Sequence, residues 1–296
     1  MINKKLEAKR LVIFLLLAFA LSWIPAILFN QLFGYHEWFE TNKMPVLFWF
    51  VGYGPALANV ITRKLTNEGW HDSMLHLRLK GNLKYYLIAI LLVSVMSIPQ
   101  GILATLVYGN GDFSDLGQSF TWQESISTLI LILSTSPLIA FNTFGEEFGW
   151  RGYMNQKMEP LIGTTGTVVV GGIIWGLWHA ELTVEGHNFG TDYAGYPYLG
   201  ILAMCVMCTF WGMVLMWLTK KTGSIYPAAI FHAMVNNGGS ITAQLFLNGI
   251  SEEFVPTIPQ QLILSIPTFL ICIVFLILML RDHKQQNAAA LPQTQG

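Results

Sequence analysis

The chain of 296 residues is 53% hydrophobic and only 11% charged, with a formal net charge of −1 and a mean hydropathy of +0.50. This composition excludes a soluble globular domain of this length and indicates a membrane protein that crosses the bilayer several times. The basic residues follow the membrane topology instead of forming one surface patch, so no nucleic-acid partner is indicated.

Apolar segments of membrane-spanning length recur along the chain. Crossing the hydrocarbon core takes about 20 apolar residues in a helix, and eight segments meet this requirement. The predicted spans are roughly 11–29, 44–62, 85–108, 125–148, 163–181, 197–219, 223–247 and 259–280. The sequence therefore predicts an all-α polytopic membrane helix bundle. Residues 1–281 are expected to form a single transmembrane domain, and residues 282–296 a disordered cytoplasmic tail.

The positions of lysine and arginine orient this predicted bundle. Basic residues are enriched in the short cytoplasmic loops of membrane proteins. Here they occupy the N-terminal arm, the second, fourth and sixth loops and the C-terminal tail, and of 16 basic residues only Lys43 lies in a loop on the other side. We therefore predict a multi-pass protein of the cell membrane, surrounded by the lipid bilayer, with both termini in the cytoplasm.

Strongly polar side chains are rare inside the predicted spans. They are nearly confined to Glu146, Glu147 and Arg151 at the end of the fourth span, His179 on the fifth, and His232 and Asn236 on the seventh. Ionisable groups are costly within a membrane, so a function is the default explanation for them.

A helical hairpin is expected to bring the first two groups of polar residues to one depth. If the fourth helix continues to a turn near residues 160–163, Glu146 lies about 16 residues before the turn and His179 about 17 after it. Each then lies roughly 25 Å from the turn along its own helix. We therefore expect Glu146 and His179 to face each other.

The spacing of Glu147 and Arg151 predicts an ion pair. The two residues are four apart, which places them on one helix face in the favourable order of acid before base. Glu146 points about 100° away around the same helix. If Arg151 neutralises Glu147, then Glu146 is the carboxylate left free for chemistry, and Glu147 supports it.

The same spacing places further polar side chains on common helix faces. His232 and Asn236 present a ring and an amide from one face, and Trp175 lies beside His179, where the indole is expected to form a wall of a cavity. Small residues on the fifth span are expected to let a neighbouring helix approach closely. They are Gly171, Gly172 and Gly176.

A carboxylate, two imidazoles and an amide are suited to hydrolysis by an activated water. Glu146 and His179 can hold and deprotonate the water. His232 and Asn236 can donate to the oxyanion that forms when water attacks a carbonyl. Glu146, His179 and His232 also offer three ligands for a catalytic zinc ion. We favour the metal-free version, because Asn236 is a poor zinc ligand and the sequence contains no HExxH helix.

Other noticeable residues have a structural interpretation. Cys205 and Cys208 have a CxxC spacing, but they lie in an apolar helix without a strand context, which predicts packing. Glu181, Glu185 and His187 lie at or beyond the end of the fifth span, in a glycine-containing loop. We interpret these three as solvated loop residues.

The ordered set of motifs resembles the CPBP family of intramembrane endopeptidases, also called the Abi or type II CAAX prenyl protease family. The motifs are Glu146-Glu147-x-x-x-Arg151, Trp175-x-x-x-His179 and His232-x-x-x-Asn236, within a core of roughly residues 123–248. The second motif often begins with Phe in this family, so Trp175 is a departure that affects the expected shape of the cavity.

The resemblance implies a cavity inside an eight-helix bundle and proteolysis by an activated water. It assigns water activation to Glu146 and His179 and oxyanion stabilisation to His232 and Asn236. Family members are commonly labelled metalloproteases, while a metal-free glutamate mechanism is also argued for them. Zinc therefore stays open as a cofactor.

The expected substrate is a peptide or a membrane-associated protein tail, prenylated or not. The eukaryotic branch of the family removes the last three residues of prenylated CAAX proteins, whereas many relatives are associated with bacteriocin self-immunity or peptide processing. Two alternatives stay open. One is a non-catalytic immunity or scaffold protein that binds a peptide in the same cavity. A weaker one is a transporter, although no matched pair of broken helices marks an inverted repeat.

Overall fold

A computed structural model of the chain describes residues 3–34, 44–114, 122–246 and 256–289. Within these ranges all regular secondary structure is helical. The helices are α1 (Lys4–Phe33), α2 (Met44–Leu65), α3 (Leu83–Tyr108), α4 (Trp122–Gly149), a π-helix (Trp150–Met154), α5 (Asn155–Trp178), α6 (Ala180–Val184), α7 (Tyr198–Thr222), α8 (Tyr226–Phe246), α9 (Ile258–Leu264) and α10 (Ile266–Ala289).

Most predicted spans fall on one long helix each. The fifth instead covers the second arm of α5 and the start of α6, and the eighth covers α9 and the first part of α10. By length and apolar composition, five segments of the described chain are able to cross a membrane. They are Lys4–Phe33, Leu83–Tyr108, Ile139–Trp178, Tyr198–Thr222 and Ile266–Gln285. The fold is thus the polytopic helix bundle that the sequence predicts.

Part of the C-terminal segment that was predicted to be disordered is helical in the structure. Helix α10 continues to Ala289, so residues 282–289 are helical where disorder was predicted. An ion pair of 2.6 Å between Lys221 and Asp282 holds the start of this extension against the end of α7. The remaining residues, 290–296, lie outside the described part of the chain.

The predicted hairpin is present. The chain runs as a continuous helix from α4 through the π-helix into α5, and Gly163 interrupts α5 with φ 73° and ψ 172°. A positive φ suits glycine, which has no Cβ to clash in that conformation. The returning arm brings Trp175 Nε1 to 2.9 Å from Glu146 Oε2. The two arms are therefore level at the predicted depth.

The long helices form a closed ring, and α7 also packs across it against α8. Around the ring the order is α1, α2, α4, α8, α3, α10, α7, α5 and back to α1. The short helix α9 lies against α3 and α7. Because α4, α5, α7 and α8 follow this closed path, their inward faces enclose a common interior.

Glycine residues let the motif-bearing helices approach their neighbours closely. A Cβ on Gly172 or Gly176 would clash with the Cα atom of Thr209 or Cys205 on α7, as expected for the small residues of α5. In the same way, a Cβ on Gly149 would clash with the backbone of α2. Close packing of this kind is typical of membrane helices, because lipid provides no hydrophobic force that drives helices together.

A partly buried ionic cluster anchors the base of the hairpin. Its members are Glu7, Glu68 and Asp72 with Arg10, Arg63 and Lys157. Burial by itself raises the pKa of Glu68, but hydrogen bonds with Lys157 and Tyr153 outweigh it and hold that pKa below its usual value. Asn59 connects this cluster to the site, because it accepts from Arg63 Nε and donates to the Phe148 carbonyl, both at 2.8 Å.

We expect Gly176→Ala to destabilise the protein, by about 1–3 kcal/mol, because the added methyl group meets the α7 backbone, which cannot move aside cheaply. Gly171→Ala is the matched control on the same helix. Its Cβ would lie 3.3 Å from Asn155 Oδ1 and from Met154 Cε, both of which can adjust. Thermal unfolding in detergent micelles measures the difference. Equal melting temperatures for the two variants would contradict the expected clash.

Candidate active site

One oxygen of Glu147 holds a buried ionic trio together. Arg151 Nη1 and His232 Nδ1 each lie 2.9 Å from Glu147 Oε1. All three side chains are buried, and Glu147 is 0% exposed. The predicted ion pair between Glu147 and Arg151 is confirmed. The sequence spacing did not reveal the contact with His232, through which Glu147 connects the hairpin to α8.

Arg151 lies in the π-helix that directly follows α4. A π-helical turn is rare and frequently marks a functional site, because it rotates the residues that follow it relative to those before it. Here the Arg151 guanidinium lies over the Trp175 ring at 4.0 Å from its centroid. The π-helix therefore places one cation against both the Glu147 carboxylate and an indole face.

Glu146 has different surroundings from its neighbour Glu147. Its Oε2 accepts a hydrogen bond of 2.9 Å from Trp175 Nε1, and its side chain lines the central cavity. Within the described ranges Glu146 makes no ion pair. The two adjacent carboxylates thus have separate environments, one in the ionic trio and the other in the cavity wall.

His179 is oriented by the backbone of the preceding turn. Its Nδ1 lies 2.8 Å from the Trp175 carbonyl oxygen. A carbonyl oxygen only accepts hydrogen bonds, so Nδ1 carries the hydrogen and Nε2 of the neutral ring carries the lone pair. The ring also packs edge-on against Trp178, with ring centroids 4.8 Å apart. His179 is thus held with a defined tautomer.

A cavity of about 530 Å³ brings the four predicted catalytic side chains together. Glu146 comes from α4, His179 from the end of α5, and His232 and Asn236 from α8. Trp175 forms part of the wall between them, in edge contact with His232 at a centroid distance of 5.2 Å. Glu147 and Arg151 are not among the lining residues and lie behind this wall.

The cavity also contains polar residues that the sequence motifs did not include. They are Asn142, His187, Asn188, Cys208 and Gln261. Asn142 precedes Glu146 by four residues, so the i,i+4 rule used for the other motifs was the signal that could have found it.

Cys205 and Cys208 are buried free thiols, in agreement with their predicted packing role.

The prediction that Glu181, Glu185 and His187 are solvated loop residues is wrong for His187. The segment after α5 packs against α1 and α7, which brings His187 into the cavity wall. Burial lowers the pKa of His187 to about 4. Burial and the nearby Glu185 carboxylate raise the pKa of Glu181 to about 7. No local sequence pattern indicated this folding back of the loop.

Zinc binding by Glu146, His179 and His232 stays a prediction. Among the His, Cys, Asp and Glu side chains that the structure describes, no group of three is arranged to hold a metal ion. The Nδ1 atoms of His179 and His232 contact the Trp175 carbonyl and Glu147, so Nε2 is the nitrogen that each ring could offer to a metal. We derive no step of the reaction through a metal.

Comparison with known proteins finds a family similar to this site. Residues 121–238 match the family model described as Rce1-like, type II CAAX prenyl endopeptidase. This stretch contains all three motifs and every residue of the ionic trio. Over these residues the chain is similar to the Rce1-like family, which confirms the resemblance seen in the sequence.

Two curated relatives are similar to part of this chain. The chain is 31% identical over 170 residues to "Lysostaphin resistance protein A" of Staphylococcus haemolyticus, a match that covers 54% of this chain and 42% of that protein. It is 29% identical over 157 residues to "CAAX prenyl protease 2" of Methanococcus maripaludis, covering 50% of this chain and 51% of that protein. The chain spans about half the length of the curated relatives it matches.

We expect Arg151→Met to destabilise the fold more than the combined change Glu147→Gln with Arg151→Met. The single variant leaves the Glu147 carboxylate buried without its arginine, which costs about 3–5 kcal/mol for a broken buried pair. The double variant leaves no uncompensated carboxylate. Chemical unfolding of the wild type, both single variants and the double variant in micelles gives the coupling energy. A double variant less stable than Arg151→Met would refute this account.

Proposed function

We propose that this chain is an intramembrane endopeptidase that hydrolyses a peptide bond with a water activated by Glu146 and His179. The observation that carries the proposal is the convergence of a carboxylate, two imidazoles and an amide on one cavity in a bundle of membrane-length helices. The family match and the relative named CAAX prenyl protease 2 support the same reaction class.

Water activation is assigned to the two side chains that contact Trp175. Glu146 is held at Oε2 by the indole, which leaves its other oxygen to accept a proton from water. His179 presents the Nε2 lone pair to orient the same water. The resulting hydroxide attacks the carbonyl carbon of the scissile bond. Glu146 then returns the proton to the departing amine, so the carboxylate is regenerated.

Oxyanion stabilisation is assigned to the two side chains on α8. His232 donates from Nδ1 to Glu147, and in the imidazolium form its Nε2–H becomes a second donor. Asn236, one helical turn later, adds an amide N–H. Donors fixed in advance around the developing oxyanion stabilise the transition state more than the substrate.

The proposed substrate is a short unfolded segment of a peptide or a membrane-associated protein, including CAAX-like tails with or without a prenyl group. The cavity volume of about 530 Å³ lies within the usual range for small-ligand sites, roughly 300–1,000 Å³. An extended peptide segment fits such a space, whereas a folded domain does not. The arrangement of basic residues supports a membrane orientation with both termini in the cytoplasm.

A second candidate is a protein that binds a peptide in this cavity without cleaving it, as an immunity factor or scaffold. The relative named Lysostaphin resistance protein A favours this candidate, because its name refers to resistance and not to proteolysis. The complete set of four polar residues favours the endopeptidase, since binding alone does not require a carboxylate beside a histidine.

We expect the purified protein in nanodiscs to cleave at least one member of a panel of lipidated and unlipidated peptides. Glu146→Gln should lower the rate by at least about 10²-fold, because the general base is lost. Glu159→Gln is the matched control, since Glu159 pairs with Lys220 and does not line the cavity. Cleavage should persist with a strong chelator. Cleavage by the Glu146→Gln variant at the wild-type rate would refute the assignment, and sensitivity to the chelator would refute the metal-free version.

We expect Asn236→Ala to lower kcat by about 10²–10³-fold with little change in KM, because the lost amide acts on the oxyanion and not on the bound substrate. Asn188→Ala serves as the control, because this second cavity amide donates to Met204 Sδ at 3.4 Å. Steady-state kinetics on one cleaved peptide separates kcat from KM. A raised KM with unchanged kcat would instead assign Asn236 to substrate binding.

A further inference from the structure

The side chain and backbone of Trp175 contact both halves of the site. The indole N–H donates to Glu146 Oε2 at 2.9 Å, and the backbone carbonyl accepts from His179 at 2.8 Å. One ring face lies under the Arg151 guanidinium at 4.0 Å, and the ring meets His232 edge-on at 5.2 Å. Trp175 thus links the side chains assigned to water activation with those assigned to the oxyanion.

We propose that Trp175 is a positioning residue whose indole N–H sets the orientation of the Glu146 carboxylate. The inference rests on the proposed function of Glu146 as the general base. A glutamate side chain has three rotatable bonds, so a carboxylate in an open cavity needs a fixed partner to hold one oxygen away from the substrate. The indole supplies that partner through a single directed bond.

An indole N–H is chemically suited to this task. It is a donor only, and it does not titrate in the range of a carboxyl group. It therefore orients Glu146 without competing for the proton that Glu146 takes from water. A phenylalanine at this position would keep an aromatic wall but would lose the hydrogen bond, so the effect depends on one nitrogen atom.

The position of the indole is itself fixed by the ionic trio. Arg151 Nη1 donates to Glu147 Oε1 at 2.9 Å, and the guanidinium packs against the ring of Trp175. Cation–π contacts are stronger when both groups are removed from water, and Trp175 is only 3% exposed. The chain of contacts runs from Glu147 through Arg151 and Trp175 to Glu146. The supporting carboxylate therefore acts on the catalytic one through two intervening side chains.

Trp178 offers an internal comparison on the same helix. It is as buried as Trp175 and also borders the cavity. Its Nε1, however, has no hydrogen-bond partner within the described structure. The two tryptophans thus differ in whether the indole N–H is engaged, which makes the Trp178 resonance a suitable comparison for that of Trp175.

The first test measures the contact without any need for activity. Indole N–H resonances of the ¹⁵N-labelled full chain in nanodiscs are assigned by Trp175→Phe and Trp178→Phe. We expect Glu146→Ala to shift the Trp175 resonance upfield, because its carboxylate acceptor is lost, and to shift the Trp178 resonance much less. An unchanged Trp175 resonance, or an equal shift for both, would overturn the inference whether or not a substrate is known.

The second test separates positioning from packing by kinetics. Trp175→Phe, and replacement of Trp175 by 3-benzothienylalanine, which keeps the bicyclic shape without the N–H, should each lower kcat about 10- to 100-fold with KM unchanged. Trp217→Phe is the kinetic control and should have a much smaller effect, because Trp217 is also buried with an unpartnered Nε1 in the described structure but does not line the cavity. Full kcat in the benzothienyl variant, or a change confined to KM, would overturn the inference. Absence of cleavage by the wild type, together with the expected resonance shift, would count against the proposed function alone.

Discussion

The interaction on which the rest of this structure depends is the pair of hydrogen bonds to Glu147 Oε1. A fully buried carboxylate is tolerated only when its charge is compensated, and here Arg151 compensates it from the same helix while His232 reaches it from α8. This requirement fixes the depth and rotation of the hairpin relative to α8. Once it is met, Glu146 faces the cavity and the guanidinium lies against Trp175.

Two further features hold the hairpin in that place without help from a hydrophobic driving force. Glycines on α4 and α5 let the backbones of α2 and α7 come close. Van der Waals packing between the helices then takes the place of the hydrophobic effect, which holds helices together in soluble proteins. At the base, the ionic cluster around Lys157 is connected through Asn59 to the Phe148 carbonyl, directly after Glu147. The site is therefore supported by close packing along the two arms of the hairpin and by the ionic cluster at its base.

The different tasks proposed for two adjacent carboxylates follow from their different surroundings. Glu147 Oε1 receives both the Arg151 guanidinium and the His232 ring, whereas Glu146 has one neutral donor, the Trp175 indole, and lines the cavity. The family match covers this machinery, but Val51 and Gly52 on α2 and Gln261 on α9 also line the cavity and lie outside residues 121–238. The cavity wall therefore includes residues from outside the motif-bearing core.

The sequence by itself determined the helical class, the Glu147–Arg151 pair, the hairpin turn at Gly163 and the common depth of its two arms. These features follow from composition, helical period and rise per residue, which are local properties. Only the tertiary structure decided that His232 binds Glu147, that the Trp175 N–H holds Glu146, that His187 enters the cavity and that α10 continues to Ala289. Such contacts depend on the rotation and packing of separate helices around their own axes, and no local period in the chain specifies those rotations.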